Sequence, residues 1–176
     1  PHALNCLLPN DIVVTAAHEA ENSFHARFDA QGKSYLYRID RSPHPQVLGR
    51  LYSWHVPGPL NLERIKAAAA LLEGTHDFKA FQAAGTTITE TVRTIYALEV
   101  TDSEEDQVLT FTFVGSGFLY RMVRILTGTL IRVGREGLTL SAVDAALTGS
   151  NPAAAGPTAP PHGLCLEKVF YSDVEK

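Results

Sequence analysis

The sequence predicts an α+β fold: an antiparallel sheet with helices packed on one of its faces. Three observations lead there. Several runs alternate apolar and polar residues with the period of two that marks a half-buried strand. Other stretches repeat their apolar residues at helical spacing. The elements come in the order strands, helix, strands, helix, helix, strand, which favours hairpins with inserted helices over repeated βαβ units.

Each element has a local reason. Residues 12–19 (IVVTAAHE) begin with β-branched side chains and read as a strand. Residues 24–29 (FHARFD) and 33–39 (KSYLYRI) both alternate, and Gln31 and Gly32 between them predict a tight hairpin. In the second run Tyr35, Tyr37 and Ile39 share one face and Ser34, Leu36 and Arg38 the other. Pro43, Pro45, Pro57 and Pro59 make 40–59 a loop with at most a short strand around Trp54. Asn61 is an N-cap for a helix whose Leu62, Ile65, Ala69 and Leu72 fall on one face, and Gly74 ends it. Residues 77–81 form a short helical turn. Residues 91–100 and 107–114 are two long strands, joined by an acidic turn (Asp102, Glu104, Glu105, Asp106) that reads as a solvated tip. Residues 116–135 make the longest helix and 140–148 a second one closed by Gly149. A Pro/Ala-rich loop over 151–161 leads to a last strand over 163–171.

Composition narrows the class. Of the 176 residues, 45% are hydrophobic and 19% charged, as in a folded globular domain and unlike a disordered chain. No apolar run approaches the ~20 residues of a membrane-spanning helix, and the first residues lack the basic start and apolar core of a secretion signal. Cys6 and Cys165 are far apart and show no metal-ligand spacing, which points to a reduced, cytoplasmic setting. The formal net charge of −4 excludes bulk electrostatic capture of nucleic acid, so an RNA-binding surface has to be a local patch. The seven histidines are scattered, with no HExxH, and GxSxG, Walker A and GxGxxG motifs are absent. Hydrolase, NTPase and dinucleotide readings therefore have no support, and no metal is expected. The chain opens at Pro1 and its one methionine is Met122, so it reads as part of a longer product.

The stretch 116–135 carries the most chemistry. At about 100° per residue, Phe118, Met122, Ile125, Leu126, Thr129, Leu130 and Val133 form a broad apolar arc. Arg121, Arg124, Arg132 and Arg135 form a narrow stripe, with Gly128 among them allowing close approach of a backbone or a ligand. Solvent-facing arginines explain much of this. Yet all four are arginine and none lysine, which suits forked recognition of phosphate or carboxylate. A partly buried arginine here also needs an acidic partner. Tyr35 and Tyr37 are core or edge packing by default, and an exposed strand tyrosine can instead stack on a base.

Six strings together resemble the tRNA pseudouridine synthase A family: FHARF at 24–28, KSYLYRI at 33–39, GTHDFKAF at 74–81, TVRTI at 91–95, GFLYRMVRILTGTLIRVG at 117–134 and AGPTAPPHGLCLEKV at 155–169. They keep the family's order and span essentially the whole chain. The resemblance implies isomerisation of uridine to pseudouridine at positions 38, 39 and 40 of the tRNA anticodon stem-loop. It also implies no metal or organic cofactor, a cytoplasmic homodimer with tRNA lying across both subunits, and the pseudouridine synthase fold. In that fold two ferredoxin-like halves share a sheet, with helices on its outer face and an RNA cleft on the other; this chain would supply one half and a C-terminal extension.

By motif match, the resemblance makes Tyr35 the active-site tyrosine that packs against the uracil ring. It makes Arg124 the partner of the catalytic aspartate, and Arg27 an RNA contact. Arg121, Arg132 and Arg135 become candidate phosphate contacts. The family's nucleophilic aspartate belongs to a G-R-T-D-A-G-V-H-like string, and no such string occurs in this sequence. Asp102 sits in the acidic turn, and Asp29 and Asp77 belong to other strings of the set. Residues 1–176 thus read as the C-terminal part of the catalytic domain without its nucleophile, inactive alone. A non-catalytic RNA-binding module and a purely structural dimerisation domain are the competing readings.

Overall fold

The computed structural model describes residues 1–149 and 152–172. Its centre is β1 (Gly32–Asp40), the run whose alternation the sequence displays most clearly. On one side β1 pairs antiparallel with β5 (Val108–Gly115), from Lys33↔Gly115 to Asp40↔Val108. β5 pairs with β4 (Val92–Ser103), and β4 with β3 (Gly74–Asp77), both antiparallel. On its other side β1 pairs antiparallel with β6 (Leu164–Phe170) along residues 32–37, and with the two-residue β2 (Trp54–His55) at Ile39 and Asp40. The β1–β2 pairing is parallel, so the expected antiparallel sheet holds for every pair but this one.

Tyr37, Ile39, Leu98, Leu109, Phe111 and Phe113 project from one face of the sheet and are buried there. Against that layer pack α2 (Leu62–Leu72), α3 (Met122–Gly134) and α4 (Leu140–Leu147). Each fully buried Phe or Leu in this layer contributes about 1.5–3 kcal/mol. The Asn61 side chain accepts from the Arg64 N–H at 3.1 Å, as the cap requires, and α2 buries Ile65, Ala68, Ala69 and Leu72. Thr139 caps α4 in the same way through the Ala142 N–H, at 3.2 Å.

Several expectations need correction. Residues 12–19 and 24–29 form no strands, and the 24–29/33–39 hairpin does not exist. The reason is positional: β5 occupies one edge of β1, β6 and β2 the other, so no edge is left for a preceding run. Residues 1–31 lie almost wholly exposed, with a four-residue α1 (His2–Asn5) and a turn at 26–28. That turn is tied to the end of β6, where the Tyr171 hydroxyl donates to the Ala26 carbonyl at 2.9 Å. The strand β3 was not foreseen; its Gly74 adopts φ +103°, a turn out of α2 that suits glycine. Asp102 is not part of a solvated tip, because it pairs with the partly buried Arg41. The long helix begins at Met122 and not at 116, since Arg121 takes the left-handed conformation at φ 59° and breaks it. Of the 151–161 loop, Asn151 lies outside the described residues; the rest runs through short 3₁₀ turns at Pro152–Ala154 and Pro161–Gly163.

This loop and α3 meet backbone to backbone. A Cβ at Gly128 would overlap the Pro157 carbonyl, and one at Gly156 would overlap the Thr129 backbone. Gly128→Ala is therefore expected to cost at least 2 kcal/mol, the upper part of the range for overpacking a dense interior. Asn61→Ala, which removes only a cap, should cost about 1 kcal/mol. Urea unfolding of the two variants checks both values and their order.

Candidate active site

The corner between β1 and the first turn of α3 gathers the residues of chemical interest. Tyr35 and Tyr37 point to the helix-bearing face of the sheet, opposite Phe113 and Phe111 on β5. A cleft on the open face was expected; both tyrosines lie on the other side. Tyr37 is fully buried, and its hydroxyl donates to the Pro160 carbonyl at 2.7 Å. Tyr35, one pleat along and about 7 Å away, is only half-buried. Its ring meets Phe118 edge to face, with centroids 5.3 Å apart.

Arg124 projects from the first turn of α3 and is half-buried. Its Nε donates to the Ala159 carbonyl at 2.6 Å, while the Ala159 N–H donates to the Arg124 carbonyl at 3.1 Å. The loop is held further by the Gly156 N–H donating to Thr129 Oγ1 at 2.8 Å, and by Gly163 lying flat against the Tyr37 ring. Two consecutive loop carbonyls, at 159 and 160, thus receive the two polar side chains of the site. Among the described residues the terminal nitrogens of Arg124 have no hydrogen-bond partner, and no carboxylate stands within 4.0 Å of it. The required acidic partner is not found among these residues.

Burial raises the hydroxyl pKa of Tyr35 above its ordinary value. Burial does the same to Tyr37 more strongly, partly offset by the nearby Arg124 charge. Both are neutral at physiological pH.

The remaining candidates separate. Arg121 lies outside the helix, exposed, with its guanidinium 4.9 Å from the Tyr120 ring centre. Arg132 and Arg135 sit at the far end of α3, about 12 Å or more from Arg124 along the axis. There they donate to the Gly137 and Pro57 carbonyls, each at 3.1 Å, at the end where positive charge suits the helix dipole. The arginine stripe is thus divided between two ends. Arg27 belongs to the exposed 26–28 turn, 5.7 Å from the Phe28 ring centre. Sequence reasoning missed Phe118, which it placed in the helix core, and the role of Tyr37 as loop anchor. The YxY pair and the Pro-rich GPTAPPHG string were the available signals.

A hollow of about 570 Å³ on the open face, between Arg38, Tyr52, Thr101 and Thr110, contains none of these residues. No three His, Cys, Asp or Glu side chains among the described residues converge as a metal-binding set. No helix among them is long and apolar enough to cross a membrane.

A family model described as tRNA pseudouridine synthase matches residues 68–172. The chain is 46% identical over 173 residues to tRNA pseudouridine synthase A of Bacillus licheniformis, covering 98% of this chain and 69% of that protein. It is 48% identical over 168 residues to the protein of the same name from Geobacter sulfurreducens, covering 96% and 68%. For Thermoanaerobacter pseudethanolicus the identity is 44% over 171 residues, covering 97% and 69%.

The buried Tyr37 hydroxyl gives a pH test. Its pKa is raised on folding, so its contribution is present below pH ~10, where the unfolded tyrosine is protonated, and fades as pH rises further. The unsubstituted chain should lose stability above pH 10. Tyr37→Phe should be about 1 kcal/mol less stable at pH 7 for want of one hydrogen bond. Above pH 10 its stability should fall less steeply, by up to ~1.4 kcal/mol per pH unit. Denaturant unfolding of both proteins at pH 7 and across pH 9–11 measures each effect.

Proposed function

The chain belongs to the tRNA pseudouridine synthase family, and from that premise we propose that the Tyr35–Arg124 corner receives the target uridine of a tRNA. The enzyme is an isomerase that converts tRNA uridine to pseudouridine. The observation that supports this use of the corner is Arg124. A half-buried guanidinium, fixed through Nε to a neutral carbonyl and lacking a carboxylate partner among the described residues, is prepared to take one. The family's nucleophilic aspartate is that partner; paired with a cation it stays ionised and oriented.

The reaction breaks the N-glycosidic bond of uridine, turns the uracil and joins its C5 to the sugar carbon; C5 then gives up its proton to solvent and the freed N1 takes one up. The base must leave the stem to be reached. Tyr35, braced edge-on by Phe118, supplies an aromatic wall for the extruded ring. Its raised hydroxyl pKa keeps it neutral beside a carboxylate. Arg121, exposed at the adjoining turn, is placed to meet backbone phosphate. Such a role for Arg132 and Arg135 would draw on a separate patch and on breaking their bonds to the carbonyls of 137 and 57. The substrate region is the anticodon stem-loop, at positions 38, 39 and 40, and the working form is a cytoplasmic homodimer. The family resemblance supports these finer points.

These 176 residues contain no aspartate in the family's motif context. Alone they should form no pseudouridine on an anticodon stem-loop RNA. Fused in frame behind a segment that carries the family's aspartate motif, they should do so. In that fusion Arg124→Ala should lower kcat by 100-fold or more with at most a few-fold change in KM, since it acts on the carboxylate. Turnover by the 176 residues alone, or equal falls in kcat and affinity, would contradict the assignment. Tritium release from C5-labelled uridine measures all three.

A further inference from the structure

Arg93 lies near the start of β4 on the sheet face that carries Tyr35. It is two residues before buried Ile95, which pairs with Gly115; Gly115 in turn is two residues past Phe113, the partner of Tyr35. Its side chain runs along the segment that leads into α3. A Cβ on Gly117 would stand 3.9 Å from Arg93 Cδ and Nε, an ordinary contact distance, so the arginine lies directly beside that residue. The next residue, Phe118, is the one that braces Tyr35. Arg121 closes the same segment.

The charge of Arg93 is unmet. Its one hydrogen bond among the described residues is Nη1 to the neighbouring Val92 carbonyl, at 2.5 Å. No carboxylate among the described residues stands within 4.0 Å. The groups nearest on β3 are committed elsewhere: His76 to the Glu73 carbonyl at 2.7 Å, and Asp77 to the Thr91 hydroxyl and the Lys79 N–H. A half-buried guanidinium lying on backbone, with Nε and Nη2 uncommitted among the described residues, suits a phosphate oxygen pair.

We propose that Arg93 is a phosphate-binding residue, holding the RNA backbone next to the nucleotide that enters against Tyr35. The inference rests on the uridine-binding reading of that corner and adds a residue to it. The RNA strand would pass along the 116–121 segment, between Arg93 and Arg121.

The test uses the 176-residue chain and a fluorescein-labelled anticodon stem-loop RNA, with anisotropy titrations from 50 to 200 mM KCl. Arg93→Gln should weaken binding about tenfold at low salt and reduce the slope of log K against log salt by about 0.7–0.9, the loss of one phosphate contact. Arg93→Lys, which keeps the charge, should keep the slope. Arg50→Gln, in the exposed 43–53 loop, should change neither. An unchanged slope for Arg93→Gln, or an equal loss for Arg93→Lys, overturns the inference while leaving the proposed function standing. No binding by the unsubstituted chain overturns both.

Discussion

The contact on which the site depends is between two stretches of backbone. Gly128 of α3 lies against the Pro157 carbonyl, and Gly156 against Thr129, with no side chain between them. This close approach brings the 155–163 loop to the helix at the level of its first turns. Only then can Arg124 exchange hydrogen bonds with Ala159, and only then does the Pro160 carbonyl come within reach of the Tyr37 hydroxyl. Protein interiors are dense enough that a single methyl group at either glycine would be felt along the loop. The geometry of Arg124 is thus set by two residues without side chains.

The parts of this arrangement differ in how far the sequence revealed them. The alternation of 33–39 gave the central strand and its buried face, because a strand buried on one side must alternate. Asn61, Gly74 and Gly149 bounded the helices they flank, because caps and left-handed residues act locally. The apolar arc of α3 was legible too, but not its start. Phe118 continues the helical spacing, and nothing in its neighbours announces that Arg121 turns left-handed and frees the preceding residues from the helix. Residues 12–19 and 24–29 carry a good strand pattern. What they lack is a place beside β1, whose two edges are taken by β5 and by β6 with β2, and the occupancy of an edge is a property of the whole sheet.

The same limit applies to the candidate site. Motif strings singled out Tyr35 and Arg124 directly. The arginine stripe suggested that four guanidiniums act together, because a helical wheel assumes helix at all four positions. With Arg121 outside the helix and Arg132 and Arg135 bonded to carbonyls at its far end, the stripe separates into an open end and a structural end. Arg93 was invisible to periodicity, since it lies on a strand distant in sequence. It reaches the 116–121 segment only through the pairing of β4 with β5.

An acidic chain that acts on RNA presents an electrostatic difficulty, and the distribution of its charges addresses it. With a formal net charge of −4, long-range attraction of a polyanion is weak. Glu104, Glu105 and Asp106 cluster at the exposed β4–β5 turn, at the opposite end of those strands from Arg93 and the 116–121 segment. At physiological ionic strength charges are screened over about 8 Å, and this acidic tip is far beyond that from Arg93. The local potential near Tyr35 is then set by the neighbouring guanidiniums and not by the net charge. Arg93 and Arg121 have no carboxylate within 4.0 Å among the described residues, and neither does Arg124. Leaving the two half-buried cations, Arg93 and Arg124, without internal acids is costly for a folded chain. The cost is held down by neutral acceptors, the carbonyls of residues 92 and 159, which orient a guanidinium without cancelling its charge. A carboxylate in those places would have cancelled the charge and left nothing free for the phosphate and the nucleophilic carboxylate proposed above.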